Sequence, residues 1–124
     1  MSLVYTKAGG LCTCDEVLDL LRQRFDQPIS MLAKWIVGRS VVNMHWRSRT
    51  LIPLFQFDLR DMCVRSEVVA VIAELTSAYD DFEIAHWFAE PNGWLAGTRP
   101  VEILRQSPEE VLEAARADRY VARG

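Results

Sequence analysis

The feature that most constrains this chain is a change of hydrophobic period. From Val17 to Ile36 apolar residues recur every three or four positions. At Val42, Met44 and Trp46 they alternate with Asn43, His45 and Arg47, and from Val68 onward the helical spacing returns. A period of 3.6 gathers side chains on one face of a helix, and a period of 2 on one face of a strand. The expected fold is mainly α with one small β-hairpin, an α+β arrangement. Two N-terminal helices precede a hairpin at about 41–57, and a helical C-terminal part follows; the division falls into 1–58 and 59–124.

Local punctuation places the elements. Met1 to Gly10 reads as a loose tail hinged at Gly9-Gly10. Thr13 and Glu16 have the spacing of a capping box, and Val17, Leu18, Leu21 and Phe25 follow, so a helix is expected from about Asp15 to Phe25. Pro28 suits the first position of a second helix, with Met31, Leu32, Trp35 and Ile36 on its apolar face and Gly38 at its end. Arg47 to Thr50 is the hairpin loop. Leu51 to Phe57 returns as a strand in which Pro53, lacking an N–H, implies an edge or a bulge. Ser66 is a candidate cap for a helix burying Val68, Val71, Ile72 and Leu75. Asp80 and Glu83 open a helix burying Ile84, Trp87 and Phe88, which Pro91-Asn92-Gly93 breaks. Pro100 starts a short helix over Val101 and Leu104, and Ser107-Pro108-Glu109-Glu110 starts a last one running towards Val121.

At 124 residues and 50% hydrophobic, the chain can bury a core without staples. Met1 to Gly10 lacks the basic start and apolar run of a signal peptide, and no apolar run is long enough to span a bilayer. Cys12, Cys14 and Cys63 make no disulfide framework, so the expected compartment is the cytoplasm. The net charge of -3 argues against strong non-specific nucleic-acid binding. It is unevenly spread: residues 1–50 carry seven Lys/Arg against four Asp/Glu, and residues 51–124 seven against thirteen. The acidic half suits either a positively charged protein partner or simple solvation.

No catalytic set emerges. His45 and His86 lie on different elements, Cys12-Thr13-Cys14 is no zinc pattern, and neither a phosphate loop nor a nucleophile elbow occurs. Capping accounts for Asp80 and Asp81. The chain is therefore expected to be no enzyme, with neither cofactor nor metal. Trp94, on the loop after Pro91, either closes over the core or stands out as a contact anchor. Arg116, Arg119 and Arg123 share a helix face. They serve either the helix dipole or a partner's anionic cleft, whereas Glu74 reads as a solvated acid.

The segment from Asp80 to Ala115 carries a more specific order: Trp87-Phe88, Pro91-Asn92, Leu95-x-Gly97, Pro100-x-Glu102-x-Leu104, then Val111-Leu112-x-Ala114-Ala115. As a set it resembles the toxin-binding domain of Xre/MbcA/ParS antitoxins. Ile52-Pro53-Leu54-Phe55-Gln56-Phe57-Asp58 is similar to the segment that often precedes that domain. The resemblance implies a cognate protein toxin, commonly an NAD-attacking RES-type enzyme, blocked by an antitoxin whose C-terminal end lies near the toxin's active site. With the loop and helix positions above, the expected contacts are Asn92, Trp94, Leu95, Arg116, Arg119, Tyr120 and Arg123, and the expected assembly is a homo-oligomer. Two departures stand out. Ala96 replaces a frequent glycine beside Gly97, and residues 13–40 hold only two helices, short of a complete helix-turn-helix. A rival reading is a DNA-binding regulator using Lys34, Arg39, Arg47 and Arg49. The charge distribution predicts that DNA binding by the chain alone is weak and strongly salt-dependent. Tight, sequence-specific retention of promoter DNA at physiological salt in a gel-shift assay would favour the regulator.

Overall fold

The computed structural model describes residues 2–7 and 9–123. Helices α1 (Ser2–Lys7), α2 (Cys14–Arg22) and α3 (Pro28–Val37) belong to the first third, with strand β1 (Leu11–Thr13) between the first two. Strands β2 (Met44–Trp46), β3 (Arg49–Pro53), β4 (Phe57–Asp58) and β5 (Cys63–Val64) fill the middle. The rest is helical: α4 (Ser66–Leu75), α5 (Asp81–Ala89), α6 (Pro100–Ile103) and α7 (Pro108–Arg123), with 3-10 turns at Leu54–Gln56 and Gly93–Leu95.

The helix signals act as their chemistry dictates. Thr13 Oγ1 accepts the Glu16 N–H at 3.2 Å while Glu16 Oε1 accepts the Thr13 N–H at 2.9 Å. Asp80 and Glu83 repeat the reciprocal pair at 2.8 and 3.0 Å. Such caps contribute about 1 kcal/mol each by satisfying orphan N–H groups. Pro28 opens α3 and Gly38 caps it. Two boundaries differ. α2 stops at Arg22, leaving Phe25 edge-on to Trp35 at 6.3 Å. Ser66 is the first residue of α4 rather than its cap, which is Arg65 and makes no side-chain capping bond.

The N-terminal tail is not loose over its described residues. Tyr5 on α1 is fully buried, lies parallel to Phe55 at 5.6 Å, and its hydroxyl donates to the Ala85 carbonyl of α5. A tyrosine can be buried whole when its O–H finds an acceptor. Gly9 and Gly10, at φ 102° and 91°, then turn the chain into β1.

The expected hairpin is part of a three-stranded antiparallel sheet in the order β1-β3-β2. β1 shows no period of its own, because its three residues run straight into the cap of α2. The turn is the two-residue pair Arg47 and Ser48, both left-handed at φ 50° and 64°, the conformation of a type I′ hairpin made without its usual glycine. β3 is the central strand, not an edge. Pro53 is tolerated there because it is the last residue, and beyond it Leu54–Gln56 coils into a 3-10 turn instead of continuing as strand to Phe57. Phe57 and Asp58 then pair with Val64 and Cys63 in a second, separate hairpin.

The ladder between β2 and β3 pairs Met44 with Leu51. Two steps further, Val42 would face Pro53 as the next hydrogen-bonding pair, but proline has no N–H to give. The fully buried Gln56 side chain replaces the missing partner. Its Oε1 accepts the Val42 N–H at 2.7 Å, and its Nε2 donates to the carbonyls of Val42 and Pro53 at 3.0 Å each.

Two apolar clusters flank this clamp. One gathers Val68, Val71, Ile72 and Leu75 of α4, Ile84 and Phe88 of α5, and Val111, Ala114 and Ala115 of α7, together with Tyr5, Val42 and Phe55. The other gathers Val17, Leu21, Leu32, Val41, Ile52, Leu54, Phe57 and Met62. The neighbours Val41 and Val42 thus enter different clusters, as do Leu54 and Phe55. Arg39 fixes the junction from outside. Its guanidinium bonds Asp81 at 3.0 and 3.2 Å and the carbonyls of Thr76 and Tyr79 at 3.3 and 3.1 Å.

Gln56→Leu keeps the volume but leaves the Val42 N–H and two carbonyls without partners. With each unpaired buried group costing about 1–3 kcal/mol, the expected loss is about 3 kcal/mol or more. Urea unfolding measures it; a loss below about 1 kcal/mol would show that the clamp is dispensable.

Candidate functional site

The C-terminal helices leave a groove between α5, the loop from Glu90 to Leu95, and the end of α7. The loop is fixed from within. Pro91 cannot extend α5, and Asn92, 7% exposed, organises the residues on its C-terminal side. Its Oδ1 accepts the Trp94 N–H at 2.9 Å, its carbonyl accepts the N–H groups of Leu95 and Gly97, and its own N–H donates to the Thr98 carbonyl. Such an Asx arrangement is the usual contribution of an asparagine to a tight turn. Leu95 tucks into the helical cluster while Trp94 faces outward with 59% of its surface exposed.

On α7 the buried stripe Val111, Ala114 and Ala115 continues at the same spacing to Asp118, where a carboxylate takes the place of an apolar side chain. That carboxylate collects three donors. The indole N–H of Trp94 reaches Oδ1 at 2.7 Å; the indole N–H of Trp87 and the Asn92 amide reach Oδ2 at 2.7 and 3.1 Å. Charge-assisted bonds of this kind are shorter and stronger than neutral ones. One side chain therefore ties α7 to α5 and to the loop, and holds the exposed Trp94 ring in one orientation.

The groove beside it has a volume of about 480 Å³. Tyr79, Phe82, His86, Trp87 and Trp94 line it with rings, and Glu83, Glu90 and Asp118 with carboxylates. Phe82 is 43% exposed and lies 4.6 Å from the His86 ring, whose Nδ1 is 3.5 Å from Glu90. Burial, then the charges of Asp118 and Glu83, push the Tyr79 phenol up, so it stays neutral. A second cleft, about 840 Å³, lies where α6 meets the segment 54–57. It is larger, but the guanidiniums of Arg65 and Arg99 on its wall are engaged internally, by Glu67 and the Phe55 carbonyl and by Glu102 and the Ala89 carbonyl. We therefore take the aromatic groove as the candidate site.

Six of the seven sequence-derived contact residues fall into three groups. Trp94 and Tyr120 are exposed, the latter at 79%. Asn92 and Leu95 are buried and build the loop rather than its surface. Arg116 and Arg119 face α4: Arg116 bonds Glu74 at 3.0 Å and Glu113 at 2.6 Å, and Arg119 stands 2.7 Å from the other Glu74 oxygen, an ion pair without hydrogen-bond alignment. Glu74 is accordingly no solvated acid, with only 19% of its side chain exposed; it knots α7 to α4. The side chain of Arg123 lies outside the described residues. Of the basic residues in the DNA reading, Lys34 and Arg49 are exposed, Arg47 lies over the Trp46 ring at 5.7 Å, and Arg39 is used inside the fold.

Asp118, Phe82 and His86 do not stand out as site residues in the sequence. The available signal for Asp118 is its position, seven residues after Val111 on an apolar stripe. Among the described residues no group of His, Cys, Asp and Glu is placed to hold a metal ion, and no helix is long and apolar enough to cross a membrane. Compared with protein-family models, curated proteins and solved structures, the chain matches none.

Asp118→Ala removes the acceptor of both indoles. The fold should lose about 2 kcal/mol, the scale of one or two hydrogen bonds to a charged group. Amide and indole hydrogen exchange should accelerate at Trp94 and along the loop to Gly97, with α4 unchanged. Unaltered exchange at Trp94 would show that the loop is held by packing alone.

Proposed function

We propose that this protein is a non-enzymatic binding module of the antitoxin type, which neutralises a cognate protein toxin through the face carrying Trp94 and the end of α7. The observation that carries the reading is the fixed, outward Trp94. A large ring held by two hydrogen bonds, one through its own backbone and one through its indole, loses little entropy when a partner covers it. Exposed Phe82 and Tyr120, and Val121 at 65%, add apolar surface on α5 and on the same end of α7. Anchors of this kind concentrate binding energy.

The toxin class rests on the resemblance to Xre/MbcA/ParS antitoxins, and two structural points support it. The residues of that resemblance are those that build the site: Trp87, Asn92, Gly97 and Pro100 form the loop and its flanks, and Val111, Ala114 and Ala115 seat α7. Ala96, standing where the family often has glycine, is left-handed at φ 55°, as Gly97 is at 82°, a conformation that glycine adopts without strain. The proposed partner is a RES-type toxin that attacks NAD. Since Arg116 and Arg119 are engaged with Glu74, the reach into such a toxin falls to Trp94, Tyr120 and the last turn of α7.

Co-expression with a RES-type toxin encoded beside this gene tests the proposal. The parent chain should restore growth and co-elute with the toxin. Trp94→Ala, with unchanged circular dichroism, should weaken binding by roughly 30-fold or more, the scale of an anchor worth about 2 kcal/mol. No complex with the parent chain would overturn the toxin reading; full binding by the folded variant would displace the interface from this face.

A further inference from the structure

The groove beside Trp94 combines features that apolar packing does not require. Asp118 is held by three donors, and all three are neutral: two indoles and a carboxamide. Among the described residues no lysine or arginine pairs with it, and none lines the groove. Glu83 and Glu90 add negative charge to the same walls. The other walls are ring faces and edges from Phe82, Trp87 and Trp94, two of them more than 40% exposed. A fixed carboxylate beside aromatic surface, without its own counter-charge, is the complement of a cation.

We propose that this groove receives an arginine side chain from the partner protein, with Asp118 as its counter-ion and the Trp94 and Phe82 rings against its guanidinium. The proposal rests on the protein-binding reading above and names the chemistry of the partner at that site. Arginine fits better than lysine for two reasons. Its planar head stacks on rings while donating in plane, and it is more weakly hydrated than an ammonium, so it enters an aromatic site with less desolvation. The carboxylate has room for it: Oδ2 already accepts two N–H groups, but Oδ1 only one, leaving a lone pair for an incoming donor. The groove is open to solvent, with a volume of about 480 Å³, so a side chain from a partner's surface can enter it.

The test uses the full chain, nitrogen-15 labelled, titrated with N-acetyl-arginine amide. N-acetyl-citrulline amide, which keeps the shape and lacks the charge, is the control. The indole N–H resonances of Trp87 and Trp94 should shift saturably with the arginine compound, and about tenfold less tightly with citrulline. Added salt should weaken the arginine response. Phe82→Ala, an exposed wall residue whose loss leaves the clasp intact, and Asp118→Asn should each weaken it several-fold. Equal responses to both compounds, or arginine binding untouched by both variants, would overturn the proposal. So would a dimer of this chain that dissociates on Phe82→Ala, because the groove would then be covered by a second copy. A toxin complex that is lost in Trp94→Ala, with no arginine response in the groove, would leave the binding function standing and remove this inference. An arginine response without a toxin complex would keep the arginine site and remove the toxin as its source.

Discussion

The architecture depends on how Val42 is held. A proline at the end of the central strand removes the donor that the next strand residue needs, and an unpaired backbone group in a core is costly. Gln56, three residues beyond Pro53 on a 3-10 turn, returns its carboxamide to do what a strand would have done. The arrangement lets the chain change direction in the middle of the molecule without exposing or orphaning its backbone. It also permits two adjacent residues, Val41 and Val42, to serve two different apolar clusters. A ladder carried on to Phe57 would have kept Leu54 and Phe57 on opposite faces of one strand; with the coil between them they share a cluster.

Much of the helical part is legible in the sequence because its signals are local. The capping pairs at Thr13 and Asp80, the prolines at 28, 100 and 108, and the buried spacing of Val68, Val71, Ile72 and Leu75 each depend on neighbours within one turn. The illegible features depend on distant partners. Strand β1 exists only because β3 lies beside it. Tyr5 is buried only because Phe55 and Ala85, far along the chain, offer a ring and a carbonyl. Pro53 signals a missing donor, but not that its strand is central and ends there, nor that a glutamine side chain supplies the lost bond.

The site shows the same division. The loop singles out Trp94 as a large aromatic beside a turn, but not which way it faces, since its loop neighbours Asn92 and Leu95 are buried. The residue does not close over the core: its indole nitrogen turns back to Asp118 on α7, while most of its surface faces solvent. Asp118, which decides that orientation, carries no motif. Its role emerges only when three donors from two other segments converge on it. The arginine face of α7 shows the converse. Arg116 and Arg119 do share a face, yet the acid they meet on α4 cannot be identified by counting along one helix.

The buried phenol of α1 also has a mechanical role. Ala85, whose carbonyl it engages, lies on α5 between Phe82 and Trp87, two residues of the groove, so the first helix acts as a plug behind the wall that a partner would meet in front. The plug enters the sheet by way of Gly9 and Gly10, whose positive φ angles suit few other residues. Cutting or stiffening that turn would loosen α5 from behind, without altering any residue that lines the groove. The amino-terminal turn thus bears on the wall of the groove without lining it.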